Sequence, residues 1–404
     1  MSSLGICITE EYTSISSVDL EHTRVLPTIF GYDKSSEKWY VGNDASERCL
    51  AGTGTLVNKI FDLFKNNQTY TISGTEYDAS QLLEIYINKL LDEYSNIESI
   101  CIGFRNLDAK LNDIVFNILL RRGLARDKIN ITSFSDCILF YLLKLYNDNK
   151  LKHSSNPIGF FELSNYVMRY YEVQVIKSSK YNLMMSKIHD LDGMPTDKVN
   201  SDSRSAVLLD KTLCKASQRV MQGKYYSTIF LAGDGFENDN FAKEFYIQIC
   251  NNRAVAKEPY MFSIGASIKA EDMINNYQLS GNWKLLSDAR LFSSVFIKVS
   301  NNKKSVDMML ANFGDEWYKK QVSETFIVDD VNEIEVFVAP IDQKKINVEK
   351  VPLPPIPKRP NKTTRVEVSV SFAESSVMLF DVRDKGFGEL VPGTDSNKIT
   401  EINV

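Results

Sequence analysis

The chain contains few of the residues from which metal centres and disulfide frameworks are built. Its 404 residues include three histidines and six cysteines. The histidines are dispersed without the spacing of metal ligands, and no two cysteines form a Cys-x-x-Cys pair. We therefore predict no metal site. We expect the cysteines to be free thiols, most of them buried as small apolar side chains, in a protein of the reducing cytoplasm.

The chain also lacks an excess of basic charge and a long apolar stretch. Lys and Arg total 47 against 52 Asp and Glu, which gives a formal net charge of −5. An acidic chain without a basic face is not expected to bind nucleic acid. No stretch is apolar over the roughly 20 residues that a bilayer crossing needs, and MSSLGICITEEY has no basic leader or apolar core. We therefore expect a cytoplasmic protein that binds no membrane.

Two sequence motifs of catalysis are missing as well. The glycine-containing segment GTGT at residues 52–55 is not followed by Gly-Lys-Ser/Thr, so it is not a phosphate-binding loop. The chain also contains no Gly-x-Ser-x-Gly sequence, which excludes the nucleophile elbow of the α/β-hydrolases.

Strand and helix patterns alternate over the first part of the chain. Apolar residues at helical spacing predict helices over residues 79–94, 108–122 and 137–145. Short apolar runs between them predict strands at 99–104 and 129–132. Strands that alternate with helices are typical of parallel βαβ units. At 404 residues the chain is also too long for one compact core, so we expect two or three domains.

A second series of similar elements follows. Residues 157–163 and 167–176 predict a hairpin, and a helix is predicted over 202–222. A strand at 228–233 and a helix over 240–251 complete the series. The same order of sheet and helix, used twice, predicts two architecturally similar halves.

The character of the sequence changes after about residue 276. Strand patterns then follow one another without long helices, at residues 291–299, 305–312, 334–340, 364–372 and 376–382. Residues 351–360 (VPLPPIPKRP) contain five prolines, which favours an extended connector between strands. A ligand for an aromatic-lined groove is the alternative interpretation. We therefore predict a separate β-rich region.

Two short segments resemble a known nucleotide site. TIFLAGDGFE (residues 228–237) is an apolar strand that runs into a glycine turn, and SIGASIKA (263–270) opens a helix with small residues. Glycine lets a ligand approach the backbone because it has no Cβ. Together with LPTIFGYDKSSEKWYVGNDA at residues 26–45, these segments resemble the actin and heat-shock ATPase superfamily, in its DnaK-type chaperone branch. The resemblance covers about residues 1–275.

The resemblance implies a fold and a set of boundaries. The fold is an α/β two-lobed actin-like ATPase fold, with ribonuclease H-like halves, followed by a β-rich C-terminal domain. Its lobes would span residues 1–156 and 157–282. Residues 283–404 would then resemble the chaperone peptide-binding sandwich, which implies that the domain binds proteins or extended peptide segments.

The resemblance also implies ATP or ADP as ligand, and it places four residues at the adenosine. These residues are Gly233, Asp234, Gly235 and Gly265. The alternative for these positions is that they only make tight turns for packing.

The first phosphate-binding turn of the family is altered in this chain. DnaK-type ATPases carry an aspartate and a glycine there, whereas this chain has Cys7 near the aspartate position and Glu10 and Glu11 in the turn. Two carboxylates would repel phosphates rather than hold them. This change argues against a bound magnesium ion.

The second phosphate-binding turn has also lost its glycines. It reads ELSNYV at residues 162–167, where only Glu162 keeps a carboxylate. A catalytic lysine of the family aligns weakly with Lys59, for which an exposed helical lysine is the alternative. Lys59 and Glu162 are thus the only candidate catalytic residues.

These losses lead to our functional hypothesis. We expect a chaperone-related protein that has lost ATP hydrolysis and works as a protein-binding module, because phosphoryl transfer depends on positioning and electrostatics. The alternatives are a divergent ATPase that uses Glu162, Asp19 or Asp234 as substitute metal ligands, and a structural subunit of a larger assembly.

Overall fold

The computed structural model divides the chain into two compact units, Met1–Lys284 and Leu285–Val404. The residues it describes are 3–52, 54–164, 167–177, 182–191, 203–237, 242–251, 253–301, 304–328, 331–341, 345–389, 391–394 and 396–404.

The first unit is a mixed α/β structure. Its strands are β1 (Ser3–Ile8), β2 (Tyr12–Ser16), β3 (Arg24–Pro27), β4 (Phe30–Asp33), β5 (Lys38–Val41), β6 (Gly54–Val57), β7 (Thr69–Ile72), β8 (Thr75–Asp78), β9 (Ser99–Phe104), β10 (Ile129–Ser133), β11 (Ile158–Ser164), β12 (Val167–Lys177), β13 (Asn182–Asp190), β14 (Thr228–Ala232), β15 (Ala254–Lys257) and β16 (Trp283–Leu286). Its helices are α1 (Gly42–Leu50), α2 (Ile60–Lys65), α3 (Ala79–Leu91), α4 (Ala109–Arg121), α5 (Phe134–Asn147), α6 (Ser203–Met221), α7 (Lys243–Cys250) and α8 (Met261–Ile274).

Side-chain caps fix where three of these helices begin. Asp78 accepts a hydrogen bond from the Gln81 amide while the Gln81 side chain accepts one from the Asp78 amide, which is a capping box for α3. Asp108 caps α4 in the simpler way, by accepting from the amide of Leu111. Ser133 caps α5. The predicted helices over 79–94, 108–122 and 137–145 are therefore confirmed, with small shifts at their ends.

The first large sheet has the strand order β10-β9-β1-β2-β3. Strands β1, β9 and β10 run parallel, whereas β1, β2 and β3 form an antiparallel meander. Helices α3 and α4 cover one face of this sheet with buried residues such as Leu82, Leu119 and Ile118, which pack against Ile6 and Ile102.

The second large sheet repeats this arrangement. Its order is β15-β14-β11-β12-β13-β16. Strands β11, β14 and β15 run parallel, and β11, β12 and β13 form an antiparallel meander. Helices α6 and α7 cover one face, where Leu213 and Phe245 pack with Phe161 and Leu231. The predicted start of α7 at residue 240 lies outside the described residues. The prediction of two series of similar elements is confirmed at the level of strand order and direction.

Helices α5 and α8 follow the last parallel strand of each large sheet and pack against each other. Phe134 and Phe262 stack with their ring centroids 4.3 Å apart. Gly265 lies so close to α5 that a Cβ there would be 2.0 Å from the Cys137 carbonyl oxygen. Helix α8 also packs on β1, where a Cβ on Gly5 would meet the Ser267 amide at 2.1 Å. The buried helix predicted at 137–145 is confirmed as part of α5.

The second unit is β-rich, as the sequence predicts. Its strands are β17 (Ser293–Asn301), β18 (Lys304–Ala311), β19 (Val322–Ile327), β20 (Glu333–Pro340), β21 (Asn347–Pro352), β22 (Arg365–Glu374), β23 (Val377–Asp384) and β24 (Asn397–Asn403). They form two antiparallel sheets, of order β18-β17-β20-β21 and β19-β22-β23-β24.

The proline-rich segment joins these two sheets. Val351 and Pro352 end the edge strand β21, and the chain then runs without regular structure to β22. Arg359 fixes this stretch, because its guanidinium donates to both carboxylate oxygens of Asp384 at 2.6 and 2.7 Å. The segment is therefore a connector that is tied to β23.

Candidate functional site

Most of the residues singled out in the sequence lie at the carboxyl ends of the parallel strands of the two large sheets. Glu10 and Glu11 form the turn after β1, and Glu162 stands near the end of β11. Asp234 follows β14 in a short 3-10 turn, Asp234–Phe236. In open sheets this end of the strands is where ligands commonly bind.

A buried ion pair occupies the centre of this region. Glu162 is fully buried, and the Arg105 Nε donates to its Oε1 at 2.8 Å. The hydroxyl of Tyr171 donates to the other carboxylate oxygen of Glu162 at 2.6 Å. Burial opposes the charge of Arg105, but Glu162 and Tyr171 outweigh this effect and raise the pKa of Arg105. Both oxygens of Glu162 are thus engaged, and ligation of a metal ion by Glu162 would require this network to open.

The ion pair links the two large sheets. Arg105 directly follows β9 of the first sheet, whereas Glu162 and Tyr171 belong to β11 and β12 of the second. Arg169 adds to the link, because its Nη1 donates to the Arg105 carbonyl at 3.2 Å while its Nε lies 2.6 Å from Asp190. We call Arg105, Glu162, Tyr171 and Arg169 the intersheet network.

Arg105 and Tyr171 were not predicted from the sequence as members of this site. The signal for Arg105 was its position immediately after the buried strand SICIGF, at the same end of the sheet as Glu162. Tyr171 lacked such a signal, since it follows Tyr170 in the same strand and both are fully buried, as aromatic core residues are.

The β1–β2 turn is closed by its own hydrogen bonds. The Thr9 amide donates to the Tyr12 carbonyl at 2.9 Å, and the Tyr12 amide donates to Thr9 Oγ1 at 3.0 Å. Burial, followed by the neighbouring Asp62 and Glu11, raises the pKa of Glu10 to about 7. The amides of Thr9 and Tyr12 are therefore committed within the turn, and the side chains around it are acidic.

The glycines after β14 stand where the chain passes against the end of β11. Gly233 has a positive φ of 91°, and a Cβ there would lie 2.2 Å from the Leu163 carbonyl oxygen. A Cβ on Gly235 would lie 2.6 Å from Leu163 Cγ. Gly265 is similarly required by the contact of α8 with α5. Packing thus explains these three glycines, while the contact of Gly233, Asp234, Gly235 and Gly265 with a nucleotide stays a prediction.

The remaining candidates are Lys59 and Asp19, which are exposed, and Asp234, which is partly buried. Lys59 is exposed and has a left-handed backbone immediately before α2, and its catalytic role stays a prediction. Asp19 is exposed beyond the end of β2, whereas Asp234 is partly buried and burial raises its pKa. Over the part of the chain that the structure describes, no three His, Cys, Asp or Glu side chains form a group that could hold a metal ion. The proposed substitute ligands Glu162, Asp19 and Asp234 are therefore not assembled into such a group.

The second unit contains a groove of about 1010 Å³. It is lined by residues of β17, β19 and β20 and of the chain next to them, among which Ile327 and Val331 are half exposed. Among the described strands, β19 pairs only with β22, so its other edge carries free backbone donors and acceptors. We call this region the β19 groove.

These features define a two-unit protein with a mixed α/β unit of two similarly ordered sheets and a β-rich unit. The chain belongs to the DUF5716 family of unknown function, whose C-terminal family model matches residues 11–288. A domain of unknown function, DUF8552, matches residues 290–404. No curated protein matches the chain. Among the described residues, no helix combines the length and apolar character that a membrane span requires.

Proposed function

We propose that this protein is a DnaK-like, chaperone-related protein of actin-like fold that binds other proteins and does not hydrolyse ATP. The repeated sheet supports the fold. The strands of β3-β2-β1-β9-β10 and of β13-β12-β11-β14-β15 follow one another along the chain in the same order, and corresponding strands run in the same direction. The pairing of α5 with α8, each after the last parallel strand of a sheet, adds to this support.

The intersheet network is the observation that carries the proposed loss of hydrolysis. The resemblance implies phosphates and a metal ion near Glu162, where this chain instead has the Arg105 ion pair and the hydroxyl of Tyr171. Catalysis of phosphoryl transfer needs an anion cradle and a metal held in place. A region that is filled by protein side chains and bordered by Glu10 and Glu11 supplies neither.

Two measurements separate turnover from binding. We expect no magnesium-dependent ATP hydrolysis above a buffer blank, whether or not nucleotide binds. A thermal-shift titration with ATP and with ADP then tests binding by itself, because ligand at 100 times its Kd stabilises the native state by about 2.7 kcal/mol. Hydrolysis that Glu162→Gln or Lys59→Ala abolishes, with the variant still folded by circular dichroism, would favour the divergent ATPase instead.

Protein binding is proposed to use the β19 groove. A free strand edge can accept an extended chain through main-chain hydrogen bonds, and apolar pockets beside it can take alternate side chains. The groove offers both, since Ile327 lies on the open strand and Val331 follows it.

A pair of isoleucines allows a matched test. Ile327 is 55% exposed on β19, and Ile399 is 60% exposed on β24, the opposite edge strand of the same sheet. We expect Ile327→Lys to weaken the binding of short apolar fluorescent peptides about tenfold, which is about 1.4 kcal/mol, while Ile399→Lys leaves it unchanged. Equal binding by both variants and the parent chain in fluorescence anisotropy would place any peptide site elsewhere.

A further inference from the structure

A second concave surface lies at the other end of the second large sheet. It encloses about 650 Å³ between the last turns of α6, the helix α7 and the residues before β15. Met221 ends α6 ahead of β14, and Arg253 immediately precedes β15, so the surface lies at the amino ends of these parallel strands. Asp234 follows the carboxyl end of β14, which separates this pocket from the site described above.

The charged side chains of this pocket are all cationic. Lys215, Arg219 and Arg253 line it, together with uncharged residues such as Gln218 and Gln248. Across the described residues, no carboxylate forms an ion pair with Lys215, Arg219 or Arg253. A chain of net charge −5 thus has three cations around one cavity that pair with no carboxylate among the residues the structure describes.

Two neighbouring carboxylates, Glu172 and Asp210, are committed to other partners. Glu172 is held by Lys224 Nζ and by the Tyr226 hydroxyl, both at 2.6 Å. Asp210 of α6 accepts from the amides of Glu244 and Phe245 at the start of α7. These acids are therefore not free to turn toward the pocket and neutralise it.

The C-terminal end of α6 accounts for part of this charge, but not for all of it. Cations in the last turn of a helix complement its dipole, which explains Arg219. Arg253 belongs to neither helix, and its Nη1 lies 4.0 Å from the Met221 sulfur, a weak acceptor. Among the residues that the structure describes, its guanidinium thus has no strong hydrogen-bond acceptor at the cavity.

Side-chain amides join α6 and α7, the two helices that line the pocket. Gln248 Nε2 of α7 donates to the Cys214 carbonyl of α6 at 2.9 Å. The side-chain Nε2 of Gln218, also on α6, donates to Gln248 Oε1 at 3.5 Å. These bonds fix α7 against α6, the helix that carries Lys215 and Arg219.

We propose that this pocket binds a small, multiply charged anion of the phosphate-ester or polyphosphate class. Its volume is in the range of small-molecule sites, and guanidinium groups match the oxygens of phosphate with two parallel hydrogen bonds. The proposal goes beyond the proposed function, because neither the intersheet network nor the β19 groove shares a residue with the pocket. The result of the pyrophosphate test therefore neither supports nor contradicts the proposed function.

The test uses inorganic pyrophosphate and isothermal titration calorimetry of the full chain at about 0.15 M ionic strength, where the Debye length is about 8 Å. We expect the double variant Arg219→Gln/Arg253→Gln to weaken pyrophosphate binding at least about tenfold, since two charge-assisted hydrogen-bonding groups are lost. The matched control is Lys211→Gln/Lys243→Gln, which removes the same charge from exposed positions of α6 and α7 outside the pocket.

The control should change the affinity for pyrophosphate by less than about twofold, because screened charges outside the pocket act weakly. Equal losses in the two double variants would show a diffuse charge effect and overturn the proposal. Absence of binding by the parent chain at millimolar pyrophosphate would overturn it as well. Melting curves of both variants establish that they are folded.

Discussion

Two ion pairs between buried charged side chains link different elements of the first unit. Besides Arg105 and Glu162, Lys269 of α8 donates to Asp136 of α5 at 2.8 Å and to Thr132 at the end of β10 at 3.1 Å. Lys269 and Asp136 are at most 4% exposed. Such a pair adds little net stability compared with apolar side chains of similar volume. Removal of one partner, however, leaves an unpaired charge in the interior.

Replacement of Lys269 alone should therefore be strongly destabilising. We expect Lys269→Met to lower the free energy of unfolding by about 3–5 kcal/mol, since Asp136 is left without its cation. Urea denaturation followed by circular dichroism measures this loss. Lys89→Met, which removes an exposed partner of Asp92, is the control and should cost less than about 1 kcal/mol. Similar losses in both variants would contradict the argument.

Glu10 should make stability depend on pH in the direction opposite to most carboxylates. Its pKa of about 7 in the folded protein lies above the ordinary value of about 4.3. The native state therefore binds more protons between these values, and this contribution to stability is complete below about pH 4 and lost as the pH rises through 7.

We expect Glu10→Gln to reduce the fall in melting temperature between pH 5 and pH 8, because the glutamine stays uncharged. Glu21→Gln, at an exposed position beyond β2, serves as the control and should follow the parent curve. Parallel curves for all three proteins would show that Glu10 does not titrate in this range.

At the scale of elements, the contact between α5 and α8 depends on the absence of a side chain. A Cβ on Gly265 would lie 2.0 Å from the Cys137 carbonyl oxygen, and backbone cannot move aside as a flexible side chain can. We expect Gly265→Ala to cost about 3 kcal/mol or more through overpacking.

The comparison for Gly265→Ala is Gly123→Ala at the end of α4. Gly123 has a φ of 88° but open space around its Cβ position, so only the left-handed backbone is penalised, at about 1–2 kcal/mol. Urea denaturation of both variants separates the effect of contact from that of conformation. A smaller loss for Gly265→Ala than for Gly123→Ala would contradict the close packing of α5 on α8.

The proline-rich connector of the second unit depends on Arg359 in a similar way. The hydrogen bonds from Arg359 and from the Thr394 and Gly386 amides hold the pKa of Asp384 well below its usual range. A depressed pKa contributes stability that is present above about pH 4 and is lost at lower pH.

We expect Arg359→Gln to destabilise the β22–β23 region by about 3 kcal/mol at pH 7, and by less at pH 2, because the stability that a depressed carboxyl pKa contributes is lost progressively below about pH 4. Native-state hydrogen exchange of the amides of β22 and β23 reports this region directly. Lys358→Gln, at the preceding exposed position, should leave the exchange rates unchanged. A loss of the same size at both pH values would indicate packing rather than charge.

Elements with a strong apolar period were predictable, and polar ones were not. Helix α5 and the alternating strand β22 lie where the sequence predicted them, because their burial follows directly from their apolar pattern. Strand β2 (Tyr12–Ser16) was missed, since its Ser and Thr residues are polar yet buried in the middle of a sheet. Strands β19 and β24 are mostly exposed edge strands, and their composition gave no period.

At the scale of the whole molecule, the sequence predicted the class of fold but only part of the candidate site. The position of Glu162 followed from the motif comparison, whereas its partner Arg105 is 57 residues away in the chain. Such a pairing depends on how two sheets meet, and no local pattern encodes it. The pocket around Arg253 was missed for the same reason, since its cations come from α6 and from the residues before β15.

The two compact units should fold separately. Apart from β16 (Trp283–Leu286), which crosses the boundary, residues 1–284 and 285–404 each have their own sheets and buried residues. Both are longer than the roughly 60 residues with which small domains can fold alone. We expect each fragment, expressed alone, to give one cooperative urea transition by circular dichroism. An unfolded 285–404 fragment would show that the β-rich unit depends on the rest of the chain.

A cut within the first unit should have a different effect, although the sequence divides it into two similar series. The chain after residue 157 returns to the first large sheet, because α8 packs on β1 and β9 and on α5. A fragment of residues 1–156 therefore loses the helix that covers one face of this sheet, and Gly5 and Phe134 become exposed to water. We expect this fragment to be insoluble or molten, with aggregation measured by size-exclusion chromatography. Addition of a synthetic α8 peptide should restore part of its structure. A stable, monomeric 1–156 fragment would show instead that each series of elements is a domain by itself.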